Sequence, residues 1–182
     1  MKVKEADILI VPGLGGSGAD HWQTRWQSRL STARRVHNPD WDSLDPQVWT
    51  DALVASVNIS DRPVVLVGHS LGVTSIIAAR ERLTSPVAGA FLVAPPDILG
   101  SDAVPDELRS FGAYDRAPLP FPSILVASSN DAYCSLDVAE DLGGAWGSLF
   151  IDAGEAGHIN ADAGYGPWPE GSMVFANFLS RL

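Results

Sequence analysis

The chain has 182 residues, of which 46% are apolar and 19% charged, a balance that can bury a full core without disulfides or metals. Its net charge of −10 argues against a phosphate-binding surface, so no nucleic-acid partner is expected. A single cysteine, Cys134, excludes an internal disulfide and agrees with a reducing compartment, and no apolar run approaches the ~18 residues that a membrane span needs.

The length fits one domain over residues 1–182. The opening MKVKEADILIVPG has an apolar run too short for a secretion signal, and it flows straight into a glycine loop. It reads as the first strand of a cytoplasmic protein. Asp7 to Gly13 is a β-branched apolar run ending in Pro-Gly, which suits a strand buried on both faces. The glycine-rich LGGSGAD follows. HWQTRWQSRL then carries Trp22, Trp26 and Leu30 at helical spacing, with the two tryptophans expected in the core. Arg34 to Asn38 predicts a weak strand at a sheet edge, ended by Pro39. Asp45 and Pro46 read as N-cap and N1 of a second helix.

Pro63 to Val67 predicts a buried strand, Leu71 to Leu83 a helix, and Val87 to Ala94 another strand. Pro105 to Phe111 predicts a short helix, Ser123 to Ser128 a strand, Leu136 to Trp146 a helix and Leu149 to Ile151 a strand. Met173 to Leu182 predicts the closing helix. Strands and helices alternate without a repeat or linker. The expected fold is therefore α/β: a three-layer sandwich of about six parallel strands with helices on both faces. Ligands of such sheets bind outside the carboxyl ends of the strands, so the loops there are where chemistry is sought.

One of those loops interrupts VLVGHSLGVTS. Gly68-His69-Ser70-Leu71-Gly72 fits G-x-S-x-G between a strand and a helix, the setting in which a sharp turn thrusts a serine hydroxyl outward. Ser70 is the candidate nucleophile, with an N-capping serine in a glycine turn as the bland alternative. The N–H of Leu71, at the start of a helix, would face an oxyanion formed beside Ser70. A second donor is expected from the glycine loop at 13–18, from the N–H of Leu14.

A serine hydroxyl needs a base, and the base an orienting acid. Of the four histidines, His21 falls in the tryptophan-rich helix and His37 in the weak strand. The side chain of His69 should point away from that of Ser70. His158, in the glycine-rich loop after the last strand, is the candidate base. Asp131, directly after SILVASS, is the candidate acid. Asp97, which also ends a strand, is the second choice. Trp168 fits either the core or a pocket wall, and Cys134 reads as a small buried filler.

PGLGG, GHSLG, ND and GHIN, in this order along the chain, resemble the α/β-hydrolase superfamily. Within it, the short length and the HWQTRW and NPDWDSLDPQVW segments resemble the small retinoblastoma-binding-protein-9 and YdeN-like serine hydrolases. The resemblance implies Ser70 as nucleophile, Asp131 as acid and His158 as base, on a minimal α/β-hydrolase fold with no large cap domain. It calls for no metal or organic cofactor, and its partner would be a small-molecule ester or amide in an open pocket. An acyltransferase or thioesterase would use the same triad, and a non-catalytic binding protein could keep the same fold. Nothing in the sequence marks a surface for a protein partner.

Overall fold

In the computed structural model, which describes residues 1–182, six strands form one parallel sheet in the order β2-β1-β3-β4-β5-β6. The strands are β1 (Asp7–Val11), β2 (Ala33–Arg35), β3 (Val64–His69), β4 (Val87–Val93), β5 (Ser123–Ala127) and β6 (Leu149–Asp152). The helices are α1 (Trp22–Arg29), α2 (Pro46–Asn58), α3 (Leu71–Ala79), α4 (Leu136–Trp146) and α5 (Pro169–Arg181). No helix is long and apolar enough to cross a membrane.

The apolar runs at β1, β3 and β4 are continuous because both faces of the sheet are covered. Alternate strand residues feed two separate cores. Ile8, Ile10, Val65, Val67, Phe91 and Val93 pack with Trp22 and Trp26 of α1 and Phe175 and Phe178 of α5. Leu9, Val11, Leu66, Ala90 and Leu92 pack with Leu53 of α2, Ile76 of α3 and Trp146 of α4. The result is a three-layer α/β sandwich without a large cap, as expected.

Several boundaries differ from expectation. β2 lies at Ala33–Arg35, earlier and shorter than 34–38, pairing only with Ile8–Ile10 at the sheet edge. Its two arginines offer no apolar face from which to read a register. α3 stops at Ala79, and a 3-10 turn at Arg80–Arg82 finishes the predicted helix. α5 begins at Pro169, four residues before the apolar run that signals it, because proline suits the first helical position. The short helix expected at Pro105 to Phe111 is a 3-10 helix at Asp106–Phe111.

The chain leaves β1 toward β2 on one side and then returns to β3 on the other. The strand order therefore reverses between β1 and β3, and the crevice at such a reversal is where ligands bind. Packing is tight there. A Cβ on Gly72, in the first turn of α3, would lie 2.1 Å from the carbonyl oxygen of Val11 and 2.7 Å from that of Pro12. Both obstacles are backbone and cannot swing aside. Gly72→Ala is expected to lose about 3 kcal/mol of stability or to be insoluble, measured by the urea midpoint.

Candidate active site

Ser70 follows the last residue of β3 and caps α3 with φ 54° and ψ −125°, a region that side chains avoid. The turn is held by the Ser70 N–H, which donates to Val93 O at 3.0 Å, and by the Val73 N–H, which donates to Ser70 O at 2.8 Å. The glycine loop after β1 closes in from the other side. A Cβ on Gly13 would stand 2.8 Å from Ser70 Cβ, so only glycine lets that backbone approach so near. Leu14 opens a 3-10 turn at Leu14–Gly16, and Leu71 is the first residue of α3. First-turn N–H groups lack partners within their own helix.

His158 and Asp131 meet Ser70 across the sheet. His158 Nε2 lies 2.9 Å from Ser70 Oγ, and His158 Nδ1 lies 2.8 Å from Asp131 Oδ2. The carboxylate can only accept, so Nδ1 carries the proton and Nε2 accepts from the serine hydroxyl. The Asp131 side chain is almost wholly buried, and its other oxygen accepts from the Tyr133 N–H at 2.9 Å. Asp97, the second choice for the acid, instead accepts from the Gly100 N–H at 3.0 Å in its own loop. The Tyr133 ring stands edge-on to His158, with centroids 4.6 Å apart.

The loop bearing His158 is anchored by residues that sequence patterns did not mark. His69 turns from Ser70, and its Nε2–H donates to His158 O at 2.8 Å. The Trp22 indole N–H donates to Ile159 O at 2.8 Å. Ile159 is buried with φ 47°, costly for a β-branched residue and sustained only by such surrounding contacts. Ser128 Oγ accepts from the Ala156 N–H at 2.9 Å, and Asn130 Oδ1 from the Gly157 N–H at 2.6 Å. Gln23, fully buried, donates to Val11 O and Val67 O, tying the ends of β1 and β3 together. A glutamine on the apolar face of a tryptophan-rich helix was the one available signal.

A cavity of about 370 Å³ opens over Ser70. Its apolar wall, Pro96, Val104, Pro105 and Leu108, comes from the β4–β5 connection, with Tyr133 beside it. Trp168 is not part of that wall. It is 6% exposed and packs in the core edge-on to Trp22 and stacked on Trp26, with centroids 5.0 and 5.9 Å away. Cys134 is buried as expected, and burial, reinforced by Asp97 and Asp131, pushes its thiol up to about 12.

Three imidazoles stand in a row: His21 to His69 at 4.8 Å and His69 to His158 at 5.0 Å. Burial holds His69 well below its ordinary range, helped by His158 and His21. Burial, then Arg35 and His158, lowers His21 to about 4. Both are neutral when folded and titrate near 6.5 when unfolded. Below pH 6.5 the unfolded chain binds the extra protons, so stability falls as pH drops toward 4. His21 alone should cost about 2 kcal/mol between pH 7 and pH 5. Urea midpoints at the two pH values check this, and His21→Asn should reduce the difference by about 2 kcal/mol while leaving the share of His69.

The comparisons agree with this architecture. The chain superposes on a YdeN-like hydrolase from Pectobacterium atrosepticum with TM-score 0.85 and 33% identity, over 96% of this chain and 91% of that one. The ydeN gene product of Bacillus subtilis follows at TM-score 0.80 and 21% identity, over 96% and 99%. An α/β-superfamily hydrolase from Xanthomonas campestris matches with TM-score 0.68 and 22% identity, over 97% and 99%. No curated protein matches the chain. The serine hydrolase family model matches residues 8–177. With nearly the whole length matched and the α/β-hydrolase fold in place, the chain belongs to the YdeN-like serine hydrolases.

Proposed function

We propose that this hydrolase cleaves a small ester or amide through an acyl-enzyme on Ser70, with His158 as general base and Asp131 as its orienting acid. The unbroken hydrogen-bonded chain from Ser70 Oγ through His158 to Asp131 Oδ2 carries the reading. His158 Nε2 takes the hydroxyl proton as Ser70 Oγ attacks the carbonyl carbon. Asp131 keeps the proton of His158 on Nδ1 and stabilises the imidazolium that forms. The N–H groups of Leu71 and Leu14 receive the oxyanion, each contributing about 3 kcal/mol to the barrier reduction. His158 then returns its proton to the leaving alcohol or amine. Water, activated by the same nitrogen, releases the acid and frees Ser70. The strained serine backbone and the glycine approach at Gly13 support the assignment, since both keep the oxygen exposed beside free N–H donors.

The cavity volume suits a short substrate, and the apolar wall suits carboxylester chemistry on an alkyl chain. A fluorophosphonate probe should label the wild type at Ser70 and leave Ser70→Ala unlabelled; equal labelling of both refutes the nucleophile. Asp131→Asn should retain the fold yet lower kcat on p-nitrophenyl acetate by about 10³–10⁴. A loss under tenfold would show that another group orients His158. Product analysis with added alcohol or amine separates hydrolysis from acyl transfer.

A further inference from the structure

The cavity over Ser70 has two unlike flanks, one over each helical layer of the sheet. Val104 and Leu108 belong to a small core with Trp49 of α2 and Leu71 of α3, and they form an apolar flank on that side. The opposite flank is the His158 loop, whose Ala156 and Ile159 sit in the core with Trp22 of α1 and Phe175 of α5. Immediately after His158, that loop adds Asn160, Ala161 and Asp162 to the cavity lining. Asp162 is the only carboxylate that lines the cavity, and no lysine or arginine lines it. The turn around it is fixed by its neighbours. Asn160 Oδ1 accepts from the Ala163 N–H at 2.9 Å, Ala161 O from the Gly164 N–H at 3.0 Å and Asn160 O from the Tyr165 N–H at 2.9 Å. The Asp162 carboxylate itself is exposed, accepts no hydrogen bond and joins no ion pair. Its side chain is short, so every rotamer keeps the charge within a Debye length, about 8 Å, of the cavity.

The two flanks receive different halves of a substrate. His158 Nε2 returns its proton to the leaving atom, so the leaving group lies beside the His158 loop and the acyl group lies away from it, toward Val104 and Leu108. We propose that Asp162 is a specificity determinant for a cationic leaving group: the preferred substrate joins a short alkyl acyl group to an amino alcohol or a diamine that carries an ammonium charge. The inference rests on the hydrolase reading of Ser70. A fixed charge at the mouth of a low-dielectric cleft concentrates the opposite charge there, and no cation of the lining competes for this one. An anionic leaving group would meet Asp162 in a chain whose net charge is already −10. A neutral one gains nothing from the carboxylate. Because the charge is solvent-exposed, it shifts selectivity severalfold rather than by orders of magnitude.

The test compares esters that differ only in charge. Choline butyrate against 3,3-dimethylbutyl butyrate sets a quaternary ammonium against its carbon isostere. 3-(Trimethylammonio)propyl butyrate against 4,4-dimethylpentyl butyrate does so one methylene farther out. Each pair is read as a ratio of kcat/KM, cation over isostere, in wild type, Asp162→Asn and Asp162→Lys, so that intrinsic reactivity and any general loss cancel. For at least one pair, the ratio should fall by about threefold or more in Asp162→Asn and further in Asp162→Lys. The wild-type ratio for that pair should also shrink between about 20 mM and about 1 M sodium chloride. A fall smaller than about threefold in both variants and both pairs overturns the proposal. Should no butyrate turn over, two O,O-diethyl phosphorothiolates that modify Ser70, one releasing thiocholine and the other 3,3-dimethylbutanethiol, are compared by labelling rate in the same three proteins against the same threshold. Fluorophosphonate labelling of Ser70 with unchanged ratios sinks this inference alone, whereas no labelling sinks the hydrolase reading with it.

Discussion

Two buried N–H groups on consecutive carbonyls hold this site together. His69 reaches His158 O and Trp22 reaches Ile159 O, from two different elements. Without them, the burial of Ile159 and the bonds from Ser128 and Asn130 would be left to hold a β-branched residue at φ 47°, and the loop after β6 would be free to relax toward an ordinary turn. The ring of His158 would then leave hydrogen-bond reach of Ser70 Oγ, which stands 2.9 Å from Nε2. His69 can serve only while Nε2 carries its proton, and its burial keeps the ring uncharged.

The same logic recurs around Ser70. Ser70 occupies a strained conformation, and the strain is sustained by hydrogen bonds on both sides of it and by a crowded strand–helix junction. Gln23 adds a tie between β1 and β3, so the glycine loop and the serine turn are fixed to one another. Arg35 completes that platform without a carboxylate partner. Its guanidinium donates to the carbonyls of Gly16 and Ser17, to Gln27 Oε1 and to Thr24 Oγ1. A cation matched only by neutral oxygens leaves net positive potential beneath the glycine loop, and it is part of why His21 resists protonation.

Much of this was legible in the residue order. The continuous apolar runs at β1, β3, β4 and β5 announce strands covered on both faces, and the serine between two glycines announces the turn. Ser70, Asp131 and His158, the residues of the proposed triad, could be picked out as candidates because each lies in the segment that follows a strand, on the same rim of a parallel sheet. Less visible were features that depend on partners distant in the chain. Trp168 follows the His158 loop in sequence, yet it packs under α1, because aromatic area is better buried against Trp22 and Trp26 than at a pocket mouth. The β4–β5 connection shows no periodicity and still walls the cavity. β2 carries two arginines in three residues, whose side chains bond to loops and helices beside the strand rather than packing on an apolar face, which leaves no hydrophobic pattern to read.

The position of β6 has its own consequence. Ser70 projects from a strand flanked by neighbours on both sides, but the strand that leads into the His158 loop is the outermost, and its four residues are all exposed or half-buried. Local opening begins at such rims well before a fold melts as a whole. Fraying there would withdraw the imidazole while the alcohol stays in its turn. Catalytic competence would therefore vanish ahead of the far-ultraviolet dichroism, and amide exchange in β6 would track inactivation more closely than exchange in β3.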